Sequence, residues 1–339
     1  MLTTLTDFRR NLAVYLVLCA FAGLLLVASA GATAKRPLAD QPFFNLVPYS
    51  THLGATADSE LDLYMPASIE MAKLVVYIPA GYGVDLARPA GATIGQFLAA
   101  DVTGAGAIGD ITAGDPAAYS TNNCAPGAHQ AVWVLDVGNA SQLPPIPVLV
   151  DPTTGTDTQL GAFKAQACLP SSATGTMRVR LLALDLAIFT NPAATGAYGW
   201  RAFVTPYAAG SPNDAATFEL RATVPLPIQL TLQGRYNRKS KRAILTGRLT
   251  TPAYDVSGVP IDLYTQVSGR FRYTTYRRTS SSGRYTFTRR IKKTTRFGAV
   301  TDSYDDCAAG SIAPAGCLSD TLAIVSSRSV KVVVPRKRR

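Results

Sequence analysis

Ser280-Ser281-Ser282-Gly283-Arg284-Tyr285-Thr286-Phe287-Thr288 decides the fold class. A Ser/Gly turn cluster opens onto strict alternation of rings and polar residues. In a strand, Tyr285 and Phe287 share one face and Arg284 and Thr286 the other. Rings inside and cations outside describe a half-buried strand, and 280–283 reads as its hairpin turn. Working outward, strands are expected at 228–232, 242–249, 259–265, 270–273, 284–288, 294–300, 321–325 and 330–334. Seven or eight short strands in near 110 residues predict an immunoglobulin-like sandwich.

The preceding segment also reads as strands. Leu61-Asp62-Leu63-Tyr64-Met65 alternates, and Lys73-Leu74-Val75-Val76-Tyr77-Ile78-Pro79 is a β-branched and aromatic run that proline stops. Further strands are expected at 131–135, 146–150, 177–189, 200–204 and 217–224, separated by Gly/Pro/Asn/Asp clusters. One short helix is expected at 89–100, with Pro89 in its first turn. The composition, with 27 Gly and 22 Pro among 339 residues, excludes a collagen-like or low-complexity chain. Charge divides the chain. Residues 31–227 carry nine Lys/Arg and fifteen Asp/Glu, whereas 228–339 carry twenty-two and six. The break falls at Pro225-Leu226-Pro227, where proline cannot serve a central ladder. The expected architecture is all-β: an acidic β-sandwich over 35–227, a basic immunoglobulin-like sandwich over 228–335 and a basic tail over 336–339.

An ordered series marks the basic segment: Leu245-Thr246-Gly247-Arg248-Leu249, Gly258-Val259-Pro260-Ile261-Asp262-Leu263-Tyr264, Thr279 with Gly283-Arg284-Tyr285-Thr286-Phe287, and Thr294-Thr295-Arg296-Phe297. It resembles the carboxypeptidase-regulatory-like (transthyretin-like) β-sandwich, an accessory module of exported bacterial proteins. Ser280 replaces that family's acidic turn residue, and Phe297-Gly298-Ala299 replaces its Tyr-Arg-Ala. The resemblance covers about 230–335 and implies a fold rather than an activity. The whole chain also resembles secreted proteins of high-GC actinobacteria, through Asp151-Pro152-Thr153-Thr154-Gly155, Gly161-Ala162-Phe163 and Cys168-Leu169-Pro170.

The N-terminus has the layout of an export signal. Arg9 and Arg10 precede an uncharged run over 11–34, most apolar over 12–27, that ends in Ala28-Ser29-Ala30 and Ala32-Thr33-Ala34. A signal helix over 1–34 is expected, cleaved after Ala30 or Ala34; the alternative is a retained anchor. Four cysteines lie beyond it: Cys124, Cys168, Cys307 and Cys317. An even number in an exported chain reads as disulfides, and Cys124–Cys168 and Cys307–Cys317 keep each bridge within one domain. Four free thiols are the alternative.

No G-x-S-x-G elbow, P-loop or strand–GxGxxG–helix is present. His52 and His129 read as surface or strand-end residues. Asp58, Glu60 and Asp62 alternate and read as one solvated strand face. Asp151 and Asp157 suggest a calcium loop whose spacing misses the EF-hand rule. Neither catalytic residues, a metal nor a cofactor is assigned. The basic segment interleaves cations with rings at Arg270, Arg272, Arg277 and Arg278, and at Arg289, Arg290, Lys292 and Lys293; the tail adds Arg336, Lys337, Arg338 and Arg339. Phe271 and Tyr273 are expected inside and the Arg side chains outside, which removes the rings from any base-stacking role. The expected partners are anionic envelope polymers or lipid headgroups, held by charge and without nucleic-acid specificity. The membrane is met only through the signal, unless that signal is retained. The sequence therefore predicts a secreted or envelope-associated binding or adhesion protein. The alternatives are an extracellular hydrolase with its site in the acidic domain, or a nucleic-acid-binding protein.

Overall fold

The computed structural model describes residues 42–100, 106–136, 144–172, 178–301 and 320–335. The export signal, Cys307 and Cys317, and the tail over 336–339 lie outside them. No helix among the described residues is long and apolar enough to cross a membrane.

The chain forms two compact units. One takes the described residues between Ala39 and Leu226 and between Asp306 and Ala323; the other takes those between Pro227 and Asp305 and from Ile324 on. The first unit contains β1 (Phe43–Pro48), β2 (Thr56–Tyr64), β3 (Met71–Ile78), β4 (Gly83–Val84), β5 (Thr93–Ala100), β6 (Gly106–Gly114), β7 (Ala131–Asp136), β8 (Ile146–Pro152), β9 (Phe163–Cys168), β10 (Leu181–Thr190), β11 (Gly196–Ala208), β12 (Ser211–Pro212) and β13 (Phe218–Leu226). The second contains β14 (Gln229–Asn237), β15 (Arg242–Thr250), β16 (Pro260–Val267), β17 (Arg270–Arg278), β18 (Arg284–Arg290) and β19 (Thr295–Thr301); β20 (Asp320–Leu322) returns to the first unit, and β21 (Val330–Val332) closes the second.

The first unit is one continuous sheet in the order β1-β2-β10-β5-β6-β7-β8-β9-β3-β11-β13-β20. It curls until its halves face each other. Trp133 of β7, Phe189 of β10 and Trp200 of β11 stand far apart in that order. Yet the Phe189 ring meets Trp133 at 6.5 Å and Trp200 at 5.3 Å, both edge to face. At the rims β1 lies alongside β13. Sandwich-like packing of this kind gives the apolar faces of all the long strands one shared core, with Phe44, Met65, Ile111 and Val204 buried in it. The segment 89–100 is not helical: β5 runs between β10 and β6. Its apolar residues at Ile94, Phe97 and Ala99 serve the core from a strand bulged between Thr93 and Gly95. Gly95 is required there, because a Cβ would sit 2.0 Å from the Asp185 carbonyl oxygen.

The second unit packs a three-stranded sheet, β14-β15-β18, on a four-stranded one, β17-β16-β19-β21. This is an immunoglobulin-like division of seven strands. Ala243, Leu245, Leu249, Tyr285 and Phe287 of the first sheet are buried, as are Ile261, Leu263, Phe297, Ala299 and Val332 of the second. The expected hairpin at 280–283 is instead a crossover, since β17 and β18 belong to different sheets. Thr279, at the end of β17, bonds the carbonyls of Val256 (2.5 Å) and Val259 (3.2 Å), which turns the chain toward β18. The strand expected at 321–325 is also different. Asp320–Leu322 runs parallel to β13 in the first unit, while Val325 exchanges hydrogen bonds with Thr301 in the second.

Gly247 is explained by Tyr285. The phenol crosses it to donate to the Thr231 carbonyl at 2.5 Å. A Cβ on Gly247 would lie 2.1 Å from that carbonyl oxygen and 2.4 Å from the phenol oxygen. Gly247→Ala is therefore expected to lose about 2 kcal/mol through overpacking, measured by chemical denaturation. Parental stability would show that both the Thr231 carbonyl and Tyr285 can give way.

Candidate anion-binding face

Alternation along β15 and β18 sends two sets of side chains in opposite directions. Ala243, Leu245, Tyr285 and Phe287 go into the core. Arg242, Arg248, Arg284 and Arg290 are exposed on the outer face of the three-stranded sheet. Cross-strand register then sets the outer side chains in rows. Asn237, Arg242 and Arg290 form the first, and Arg235, Ile244 and Thr288 the second. Gln233, Thr246 and Thr286 form the third, and Thr231, Arg248 and Arg284 the fourth. No acid and no aromatic ring stands in any of them. Arg238, Lys239 and Lys241, all exposed, fill the turn from β14 to β15, beside the Arg242 row. Among the described residues none of the five face arginines is ion-paired. The described residues of this unit hold eighteen Lys/Arg and two Asp, and one of those, Asp262, is buried.

The structure distributes the cations read from the sequence over several surfaces. Arg290 joins the face, while Arg289 is paired with Ala243 and points the other way. Lys292 and Lys293 follow β18 and are exposed. Arg270, Arg272, Arg277 and Arg278 lie on β17, the edge of the other sheet. There Arg277 donates to the Tyr276 carbonyl (3.1 Å) and Arg278 to that of Gly258 (2.8 Å). Phe271 and Tyr273 are not in the sandwich interior. Tyr273 pairs with Tyr264, and both rings pack half-buried with Tyr264, Val300 and Ile324. A bulge between Leu263 and Tyr264 accompanies this shift of side. Arg235, Arg242, Arg248 and Arg284 are the face residues that sequence reasoning missed. Alternation identified outward positions, but register alone makes them neighbours.

In the first unit the cysteines, His129 and the acids of the Asp151 loop are held by local partners. Cys124 and Cys168 are joined by a disulfide, a bond that persists in oxidising, extracytoplasmic compartments. His129 is not a surface residue. It lies between the Asp151 carboxylate (2.9 Å from Nδ1) and the Ala125 carbonyl (2.9 Å from Nε2), so neither ring nitrogen is left over to act as a base. Asp151 also accepts from the Gln130 amide, and Asp157 pairs with Lys164 at 3.3 Å, which accounts for the acids of the suspected calcium loop. No cluster of three metal-ligating side chains occurs among the described residues. A cavity of about 30 Å³ inside the sheet is lined by Leu61, Phe97, Trp133, Leu184, Phe189 and Trp200, among other apolar residues. Such a lining offers a water too few polar partners.

The expectation of a solvated acidic strand face is corrected. Asp58 is exposed, but Glu60 and Asp62 are buried on β2, which runs between β1 and β10. Glu60 stands opposite Asp185 and accepts from the Tyr49 phenol at 2.9 Å; Asp62 stands opposite Asn45. Burial, with Asp185 adding to it, pushes the Glu60 carboxyl up to about 7. Burial and the neighbouring Glu60 push Asp62 well above the usual carboxylate range, and burial raises the Tyr49 phenol.

No family model and no curated protein matches the chain. Solved structures to which it is similar include domains D2 and D3 of the major pilin SpaD from Corynebacterium diphtheriae, at 8% identity over 80% of this chain and 84% of that one, with a TM-score of 0.28. The D0-D1 domain of intimin is similar at 9% identity over 87% and 100%, with a TM-score of 0.22. A tetra-tandem repeat from the extending region of a large adhesion protein is similar at 10% identity over 86% and 74%, with a TM-score of 0.20. Likeness at these scores decides nothing about this chain. The all-β fold rests on the strand pairing itself.

Proposed function

We propose that the protein works outside the cytoplasm, in the cell envelope or extracellular space, as a non-enzymatic binding or adhesion protein whose basic sandwich holds anionic polymers. One observation carries the reading. Five exposed arginines share the outer face of the β14-β15-β18 sheet, and four of them face each other in like-charged cross-strand pairs. Opposed like charges are destabilising, and a bound polyanion relieves that repulsion. Arg270, Arg272, Arg277, Arg278, Arg289, Lys292 and Lys293 extend the field around the face, and the tail over 336–339 adds four more cations. The Cys124–Cys168 disulfide and the signal-like N-terminus support export. The resemblance to the carboxypeptidase-regulatory-like module and to secreted actinobacterial proteins fits an accessory envelope module.

The full chain is to be titrated with teichoic acid, heparin and single-stranded DNA at two salt concentrations. Counterion release makes the logarithm of affinity fall linearly with the logarithm of salt. A fall of this kind, shared by all three polymers, is the expected result. No binding to any polyanion at low salt would refute the proposal. Salt-independent affinity for one alone would replace charge with a shaped site.

A further inference from the structure

We infer that the outer face of the β14-β15-β18 sheet is a two-clamp seat for a linear polymer of phosphate groups laid along the strands, a reading that rests on the polyanion function proposed above. Arg242 stands directly opposite Arg290 at one end of the face, and Arg248 directly opposite Arg284 at the other. Opposed residues of an antiparallel pair have Cβ atoms about 5 Å apart, so two guanidinium groups can close on one tetrahedral anion. Each guanidinium presents a planar fork that matches phosphate oxygens. Arg248 is already held: its Nε donates to the Ser282 carbonyl at 2.9 Å, which leaves its two terminal nitrogens as donors.

The pairs lie six residues apart on both β15 and β18. At about 3.3 Å per residue the clamps are about 20 Å apart. The two rows between them carry Arg235, Gln233, Ile244, Thr246, Thr286 and Thr288, all short or polar apart from Ile244. A chain of phosphates can cross that floor and reach both clamps. Single-stranded nucleic acid needs aromatic platforms for its bases, and the rings of β18 are buried on the opposite side of the sheet. The face therefore fits the phosphate backbone chemistry of a simple polymer better than that of a nucleic acid.

Two clamps on one rigid sheet predict a length threshold, because the second contact becomes intramolecular once the ligand spans both. The full chain is to be titrated calorimetrically with inorganic pyrophosphate, with linear polyphosphates shorter and longer than about 20 Å, and with single-stranded DNA of matching span. The expected result is weak binding of short chains and a rise of about tenfold or more once the span is reached. Arg242→Gln with Arg290→Gln, or Arg248→Gln with Arg284→Gln, should remove the step and leave the weak binding. Arg270→Gln with Arg272→Gln deletes the same charge from β17 and should keep the step. A smooth rise with length, or an equal loss in the β17 variant, would overturn the clamps while the polyanion function stands. Tighter binding of the DNA would overturn the ligand class, and no binding at all would sink both proposals. Circular dichroism of each variant separates lost binding from lost fold.

Discussion

Replacing Cys124 and Cys168 together with serine is expected to cost the first unit about 4 kcal/mol of stability in the ideal loop-closure model. The bridge spans 44 residues of chain, and that closed loop includes β7, β8 and β9. Cutting it releases the unfolded chain while the native sheet loses only one cross-link. Several contacts of the folded state survive the change. Gln166 still reaches the Cys124 carbonyl at 2.7 Å, and His129 still ties the loop to Asp151. The variant should therefore fold, with a lower denaturation midpoint and an unchanged far-ultraviolet spectrum. Parent protein treated with reductant should lose the same amount. A loss below about 1 kcal/mol would show that the unfolded chain is already constrained between these two positions. The cost also bears on location, since a reducing compartment would remove this stabilisation.

Strands whose two faces differ sharply were legible in the sequence. Lys73-Leu74-Val75-Val76-Tyr77-Ile78 and Arg284-Tyr285-Thr286-Phe287 are strands where alternation and β-branching place them. Three others carry no such signature. β6 is Gly106-Ala107-Ile108-Gly109-Asp110-Ile111-Thr112-Ala113-Gly114, poor in β-formers, and is held by β5 and β7 on either side. Its Gly109 is needed because a Cβ would meet the Asp136 carbonyl oxygen at 2.1 Å. β1 and β9 likewise take their conformation from their neighbours in the sheet. The segment 89–100 imitates a helix because Ile94, Phe97 and Leu98 fall at spacings of three and four, and only the pairing with β10 and β6 overrides that pattern.

The candidate face was half legible for a related reason. Alternation shows that Arg284 and Arg290 point away from Tyr285 and Phe287, but the strand that lies opposite them is a matter of topology. Only the register brings Arg242 to the side of Arg290 and Arg248 to the side of Arg284, from 48 and 36 residues earlier in the chain. The rings of β17 show the converse error. Phe271 and Tyr273 share a face, as alternation requires, but β17 is an edge strand with a bulge beside it, and the face they share is not the sandwich interior. Charge separation was clear in the composition, and the return of β20 to the first unit sharpens it by taking Asp320 away from the basic unit.

Glu60 and Asp62 should make the first unit more stable at pH 5 than at pH 8, by about 3 kcal/mol for Glu60 alone before relaxation. Glu60 is pushed from 4.5 to about 7 by burial and by the charge of Asp185 opposite it. Between those two values the folded protein keeps a proton that the unfolded chain has released. Stability therefore falls as pH rises through this window and levels off above about 7. Below 4.5 both states are protonated, and Glu60 adds nothing to the slope. Asp62 acts in the same direction, since burial and Glu60 raise it as well. The groups that face the pair are Tyr49 after β1, Asn45 on β1 and Asp185 on β10. Glu60→Gln keeps an oxygen for the Tyr49 phenol and removes the charge. It should leave stability at pH 4 unchanged, raise it at pH 8 and flatten the curve between; adding Asp62→Asn should flatten it further. Thermal melts from pH 4 to pH 8 decide the matter. If the Gln variant loses more stability at pH 8 than at pH 4, the ionised carboxylate is the form the fold uses, and Glu60 is not a buried neutral acid.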